Sequence, residues 1–282
     1  MVDDGIRMRI YQSHNKSNGI GFIVNPSTLL SGKYQPVKLW KPTEEDVDLL
    51  LEILDDVLES IGLDSVKAED LSLSQMDLTK DFWYDKSYDP TINFRCYHKC
   101  FIPRNFKVIG DNDKEMRQHL FVMANDTVTM KVYDKIYELK KNDRCPESLK
   151  GKYIMRYEVS LKREAFLKKL SLDRKDSLYE MLLAGYEHIE DTIDDYLDKM
   201  FPFSGKIVRY EKAKKLIESN VKNSDLQEQM LYLLRKTSDS AELSAAVQKL
   251  KDNYSNVGDH RVRKILSEFD KLDIAPITIP NN

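Results

Sequence analysis

The stretch Thr127–Glu138 reads Thr-Val-Thr-Met-Lys-Val-Tyr-Asp-Lys-Ile-Tyr-Glu. Strand-like alternation puts Val128, Met130 and Val132 on one face and Thr129, Lys131, Tyr133 and Lys135 on the other. A tyrosine between two lysines on a half-buried strand can serve as a nucleophile. The ammonium groups lower the cost of phenolate character and attract a phosphate to the same point. The same spacing also describes a surface strand carrying a solvated charge ladder. Leu71–Phe82 reads as a second strand, with Asp77 on a face shared with Gln75, Thr79 and Asp81. Aspartate is disfavoured in strands, so Asp77 is either strand-end turn chemistry or a metal ligand. Tyr153–Lys162 reads as a third strand, with Arg156, Glu158, Ser160 and Lys162 opposite Met155, Tyr157, Val159 and Leu161.

Strands separated by helices and loops can meet in one sheet, and residues of one face then converge. Asp77 and Glu158 would offer hard oxygen ligands suited to Mg²⁺ or Mn²⁺, a cation that polarises a phosphodiester. Tyr133 could attack the phosphorus to leave a phosphotyrosine, while Lys135 or Lys131 stabilises the phenolate and the pentavalent oxygens. Residue types alone also allow each of these groups a structural place.

Charge points the same way through its distribution. The net charge is −3, but Thr43–Asp89 holds 15 acidic residues against 3 lysines, whereas Lys131–Lys175 holds 14 basic against 7 acidic. Between Ile92 and Gly110 stand Arg95, Lys99, Arg104 and Lys107 with no acid, interleaved with Phe94, Tyr97, Phe101 and Phe106. Cations that track a backbone and rings that stack on bases fit single-stranded nucleic acid; the pattern equally fits an amphipathic hairpin. Lys131, Arg156, Arg95, Lys99 and Arg104 are the candidate nucleic-acid contacts.

The remaining elements supply a frame. Ile6–Gln12 and Gly19–Asn25 read as strands. Thr43 is a plausible cap for an acidic-fronted helix with apolar residues from Val47 to Ile61. Leu178–Met200 reads as one helix, and Phe201-Pro202-Phe203-Ser204-Gly205 as a boundary. Helices around Val208–Asn220, Leu226–Lys236, Ala241–Asn253 and Arg261–Leu272 follow, then a proline-punctuated tail. The basic start His260-Arg261-Val262-Arg263-Lys264 suits a small DNA-binding module or a plain bundle. The expected fold is α+β: a nicking domain over residues 1–200, with a central antiparallel sheet packed by helices, and a helical C-terminal region over 201–282 that assists DNA binding. No apolar run approaches the roughly 20 residues of a membrane span. The N-terminus does not read as a signal peptide, and Cys96, Cys100 and Cys145 read as reduced thiols of a cytoplasmic protein.

The order of these blocks resembles the replication initiators of filamentous phages, the gene II protein family, and related rolling-circle plasmid initiators. The matching pieces are Val24-Asn25-Pro26-Ser27-Thr28-Leu29-Leu30-Ser31-Gly32, Leu73-Ser74-Gln75-Met76-Asp77, Val132-Tyr133-Asp134-Lys135-Ile136-Tyr137-Glu138-Leu139 and Met155-Arg156-Tyr157-Glu158-Val159-Ser160-Leu161-Lys162. Phe269–Ile277 resembles the tail of many bacterial members. The resemblance implies a metal-dependent DNA nicking–joining enzyme of a phage or plasmid, acting in the cytoplasm of a bacterial host. It would cut one strand at a replication origin, single-stranded or supercoiled, hold the 5′ phosphate on tyrosine and leave a 3′ hydroxyl. A host helicase or polymerase would be its partner.

Within that resemblance Tyr133 matches the nucleophile, Lys135 the lysine two residues on, and Asp77 and Glu158 the acids. Two departures stand out. Met76 occupies the place of the family's arginine before the aspartate, and no His-hydrophobic-His metal motif is present. Tyr186 and Tyr196 are the alternative nucleophiles. The competing expectation is a non-catalytic DNA-binding replication accessory or repressor.

Overall fold

The computed structural model describes residues 5–12, 18–84, 90–110, 113–239 and 242–279. The chain opens on an antiparallel hairpin of β1 (Ile6–Gln12) and β2 (Asn18–Val24). Asn25 caps the short helix α1 (Pro26–Ser31) by accepting the Thr28 N–H. Helix α2 (Glu44–Ser60) starts on a reciprocal cap: Thr43 Oγ1 accepts the Asp46 N–H, and the Asp46 carboxylate accepts the Thr43 N–H. Its buried stripe is Val47, Leu50, Leu51, Leu54 and Leu58.

Strand β3 (Gln75–Tyr84) begins later than the alternation from Leu71 suggests. The carbonyls of Leu73 and Ser74 are taken by the side chain and N–H of Arg163, so that stretch is fixed by a loop contact and not by a ladder. The Ile92–Ile109 stretch is no hairpin. It forms helix α3 (Thr91–Tyr97), a loop, and a two-residue strand β4 (Lys107–Val108). Strands β5 (Leu120–Ala124) and β6 (Val128–Asp134) follow, then helix α4 (Lys135–Lys141) and strand β7 (Tyr153–Lys162).

Helix α5 (Arg163–Leu170) comes next, and the expected single helix to Met200 is two, α6 (Leu178–Glu187) and α7 (Ile189–Met200). The break is at His188, whose Nδ1 lies 2.9 Å from the Ala184 carbonyl oxygen. The C-terminal elements are β8 (Lys206–Arg209), α8 (Tyr210–Asn220), α9 (Ser224–Ser238), α10 (Leu243–Asn253), α11 (Asp259–Lys271) and β9 (Ile274–Ile279). The proline-punctuated tail is therefore a strand. It pairs in parallel with β8, and its residues Ile274 to Thr278 are buried.

The architecture is α+β, with a five-stranded antiparallel sheet ordered β3-β7-β6-β5-β4. The backbone falls into two compact units, one of 1–81 with 160–190 and the other of 82–159 with 191–282. In the first, α2 and α6 enclose an apolar cluster of Val47, Leu50, Leu51, Leu54, Ala68, Leu178 and Leu182, with Ile6, Val24 and Met76 against it. Gly185 lies against the Met76 side chain, whose sulfur a Cβ there would displace.

In the second unit, Phe121 faces Val132 and Met123 faces Met130 across β5 and β6, forming the buried face of the sheet. Helix α3 packs on that face through Tyr97, whose ring lies 6.0 Å from Phe121. Helices α8–α11 surround a separate cluster centred on Met230, Leu233, Leu234, Leu250, Ile265 and Phe269. No helix among the described residues is long and apolar enough to cross a membrane.

Candidate active site

The site is built on the sheet face opposite α3. An Asn125 side chain that accepts the Thr127 and Val128 N–H groups shapes the turn from β5 into β6. The register then pairs Val122 with Lys131 and Leu120 with Tyr133. Alternation keeps Lys131 and Tyr133 on one side while Met130 and Val132 enter the core. The neighbouring strand β7 is buried on both faces except at Tyr153, Glu158 and Lys162, as a central strand requires.

Arg156 and Glu158 alternate on β7 and meet the β6 pair. Glu158 Oε1 accepts the Lys131 ammonium at 2.5 Å, and Oε2 accepts the Tyr133 hydroxyl at 3.4 Å. Arg156, only 9% exposed, is hydrogen-bonded to the Tyr133 phenol. Four residues singled out in the sequence are thus one cluster: a phenol, a carboxylate and two cations.

The electrostatics reverse one expectation. Burial and the Glu158 charge push the Tyr133 phenol well above the ordinary tyrosine range, and Arg156 only partly opposes them. The ammonium expected to favour phenolate is bonded to Glu158. Lys135 is not on the Tyr133 face of the strand. Asp134 ends β6 by accepting the Ile136 and Tyr137 N–H groups on one oxygen, so Lys135 opens α4. There it is buried and donates to Glu138 Oε2 at 2.7 Å. The cap was the missed signal: an aspartate followed by Ile136 and Leu139 at helical spacing marks a strand-to-helix junction.

The other expected contacts spread out. Asp77, on β3, is exposed and accepts from Gln75 Nε2 at 3.0 Å. Arg95 and Arg104 are exposed, on α3 and on the loop after it. Lys99 is a correction: at 5% exposure its ammonium donates to the Thr278 and Ser238 carbonyls, and its backbone carbonyl accepts the Leu243 N–H. It ties α3 to the C-terminal helices and has no face left for a phosphate. Tyr196 is buried on α7 with its ring 6.1 Å from Phe106, and burial pushes its phenol up. Tyr186 is half-buried on α6.

A divalent cation needs several free oxygens. Both Glu158 oxygens are engaged, and among the described residues no group of three or more His, Cys, Asp or Glu is gathered. The cluster as it stands does not fit Mg²⁺ or Mn²⁺. The chemistry it offers is that of the four side chains: a base touching a phenol, and cations beside both.

No family model, curated protein or solved structure matches the chain.

Proposed function

We propose that the chain is a DNA nicking–joining enzyme that initiates rolling-circle replication, with Tyr133 as nucleophile. The observation that carries this is the contact of the Tyr133 hydroxyl with Glu158 Oε2 beside Arg156 and Lys131. A phenol held above its usual range needs a base at contact distance in order to react. Glu158 takes the Tyr133 proton as the phenolate oxygen bonds to phosphorus. The bond from phosphorus to the 3′ oxygen breaks, the 5′ phosphate stays on Tyr133, and the departing 3′ oxygen takes a proton from water. Arg156 offsets charge on the non-bridging oxygens, and Lys131, released as Glu158 is protonated, joins it. Rejoining runs the same steps backward.

The test is covalent trapping on labelled single-stranded and supercoiled origin DNA of the protein's own replicon, with and without added Mg²⁺. A protein–DNA adduct on a denaturing gel that disappears in Tyr133→Phe is the expected result. An adduct that persists in that variant moves the nucleophile to Tyr186 or Tyr196.

A second reading draws on the closed Lys131–Glu158 pair and the raised phenol, which also suit a cluster that only locks β6 to β7. On that reading the chain is a non-catalytic DNA-binding replication accessory or repressor. Salt-sensitive binding without adduct or nick decides for it.

A further inference from the structure

The β1–β2 hairpin has two unlike faces. Paired residues share a face, so Arg7, Arg9 and Tyr11 stand with Ile23, Gly21 and Gly19 on one side. Ile6, Met8 and Ile10 stand with Val24, Phe22 and Ile20 on the other. The apolar side is anchored at its base, where Ile6 and Val24 join the α2–α6 cluster.

Tyr11, on the arginine side, is 58% exposed. Its ring lies over the two glycines: a Cβ at Gly19 would collide with it, and one at Gly21 would sit 3.6 Å away. The glycines thus hold the ring flat against the backbone and leave its outer surface to solvent. Arg7 and Arg9 are exposed on the same side, about 7 Å apart as next-but-one residues of a strand. That matches the reach between successive phosphates of an extended strand, and no acid lies among the hairpin's described residues.

We infer that this face binds an unpaired nucleic-acid strand, with a base stacked on Tyr11 and the arginines on the phosphates. A π-surface held in place beside two cations matches what single strands require, and the charge is complementary. The site lies outside the Tyr133 cluster and does not depend on nicking.

The test is fluorescence anisotropy of the full chain with labelled 15-mers of thymidylate and of uridylate, across a salt series. Tyr11→Ala weakens binding roughly tenfold and Tyr11→Phe restores it. The Arg7→Ala/Arg9→Ala pair flattens the slope of log affinity against log salt by about 1.4. Equal loss with both oligomers leaves sugar unread; loss with one assigns DNA or RNA. Wild-type affinity in Tyr11→Ala and in the double arginine variant overturns the inference. So does restoration by Tyr11→Leu as full as by Tyr11→Phe, since leucine covers the glycines without a stacking surface. Because binding is read without cleavage, failure of the nicking proposal leaves this result standing, and the reverse holds too.

Discussion

Lys131 reaches from β6 to β7 and sets its ammonium 2.5 Å from Glu158 Oε1, where the carboxylate side chain is only 15% exposed. A half-buried carboxylate that loses its cation keeps its desolvation cost. Lys131→Met is therefore expected to lower stability by about 1–2 kcal/mol in urea unfolding, part of it restored when Glu158→Gln is added. On the proposed mechanism Glu158→Gln alone slows adduct formation by about 10²–10⁴ while DNA binding persists. Equal loss of both would make Glu158 a folding residue only.

The raised phenols carry a pH dependence. Tyr133 is pushed up by burial and by Glu158, and Tyr84 and Tyr97 mainly by burial. Above about pH 10 the unfolded chain loses phenolic protons that the folded chain keeps. The unfolded state then binds fewer protons, and stability falls as pH rises through that range until the folded phenols titrate. Each such tyrosine adds up to about 1.4 kcal/mol per pH unit to the slope. Urea midpoints at pH 9 and pH 11 are expected to differ less in Tyr133→Phe than in wild type.

Tyr97 and Tyr157 share a buried hydroxyl contact of 2.5 Å between α3 and β7. Tyr97→Phe removes one partner and is expected to cost about 1 kcal/mol. Adding Tyr157→Phe should cost less than the sum of the two single changes, because neither hydroxyl of the pair is then left without the other. A double-mutant cycle with no coupling would contradict this.

Lys99 separates fold from binding. Lys99→Met keeps the stem but leaves the Thr278 and Ser238 carbonyls without this donor, an expected loss of about 1–3 kcal/mol. Affinity for DNA should stay within twofold, whereas changes at exposed Arg95 or Arg104 would alter it if the α3 surface takes part. A large affinity loss in folded Lys99→Met would reverse the structural assignment.

The elements with strong local signals were readable. The Thr43 cap and the apolar stripe that follows it mark α2, and period-two alternation marks β6 and β7. Alternation also gave Lys131, Tyr133, Arg156 and Glu158 their faces, so the cluster was legible once β6 and β7 were neighbours. Partners were not. Whether an ammonium meets a phenol or a carboxylate depends on which strands adjoin, and that is a tertiary fact. Phe94, Tyr97 and Phe101 have helical spacing, but the interleaved cations and rings fit a hairpin equally well. Lys99 looked exposed because lysine usually is, and only the packing of β9 and α9 turns it inward. Met76, in place of the resemblance's arginine, is explained by Gly185 and the cluster it packs against.

The parallel pairing of β8 with β9 sets a demand on the order of assembly. The two strands bracket α8, α9, α10 and α11, so their hydrogen bonds close a long loop whose entropy must be offset before they contribute anything. Helices α8–α11 rest on contacts nearer in sequence and can form first, leaving a slot lined by Leu233, Leu234 and Phe269 for Ile274, Ala275 and Ile277 to fill. The approach is close, since Gly205 lies against the Ile274 backbone with no room for a Cβ. Docking of β9 is then expected to follow the helices, and because Lys99 binds the Thr278 carbonyl, the same event fixes the end of α3.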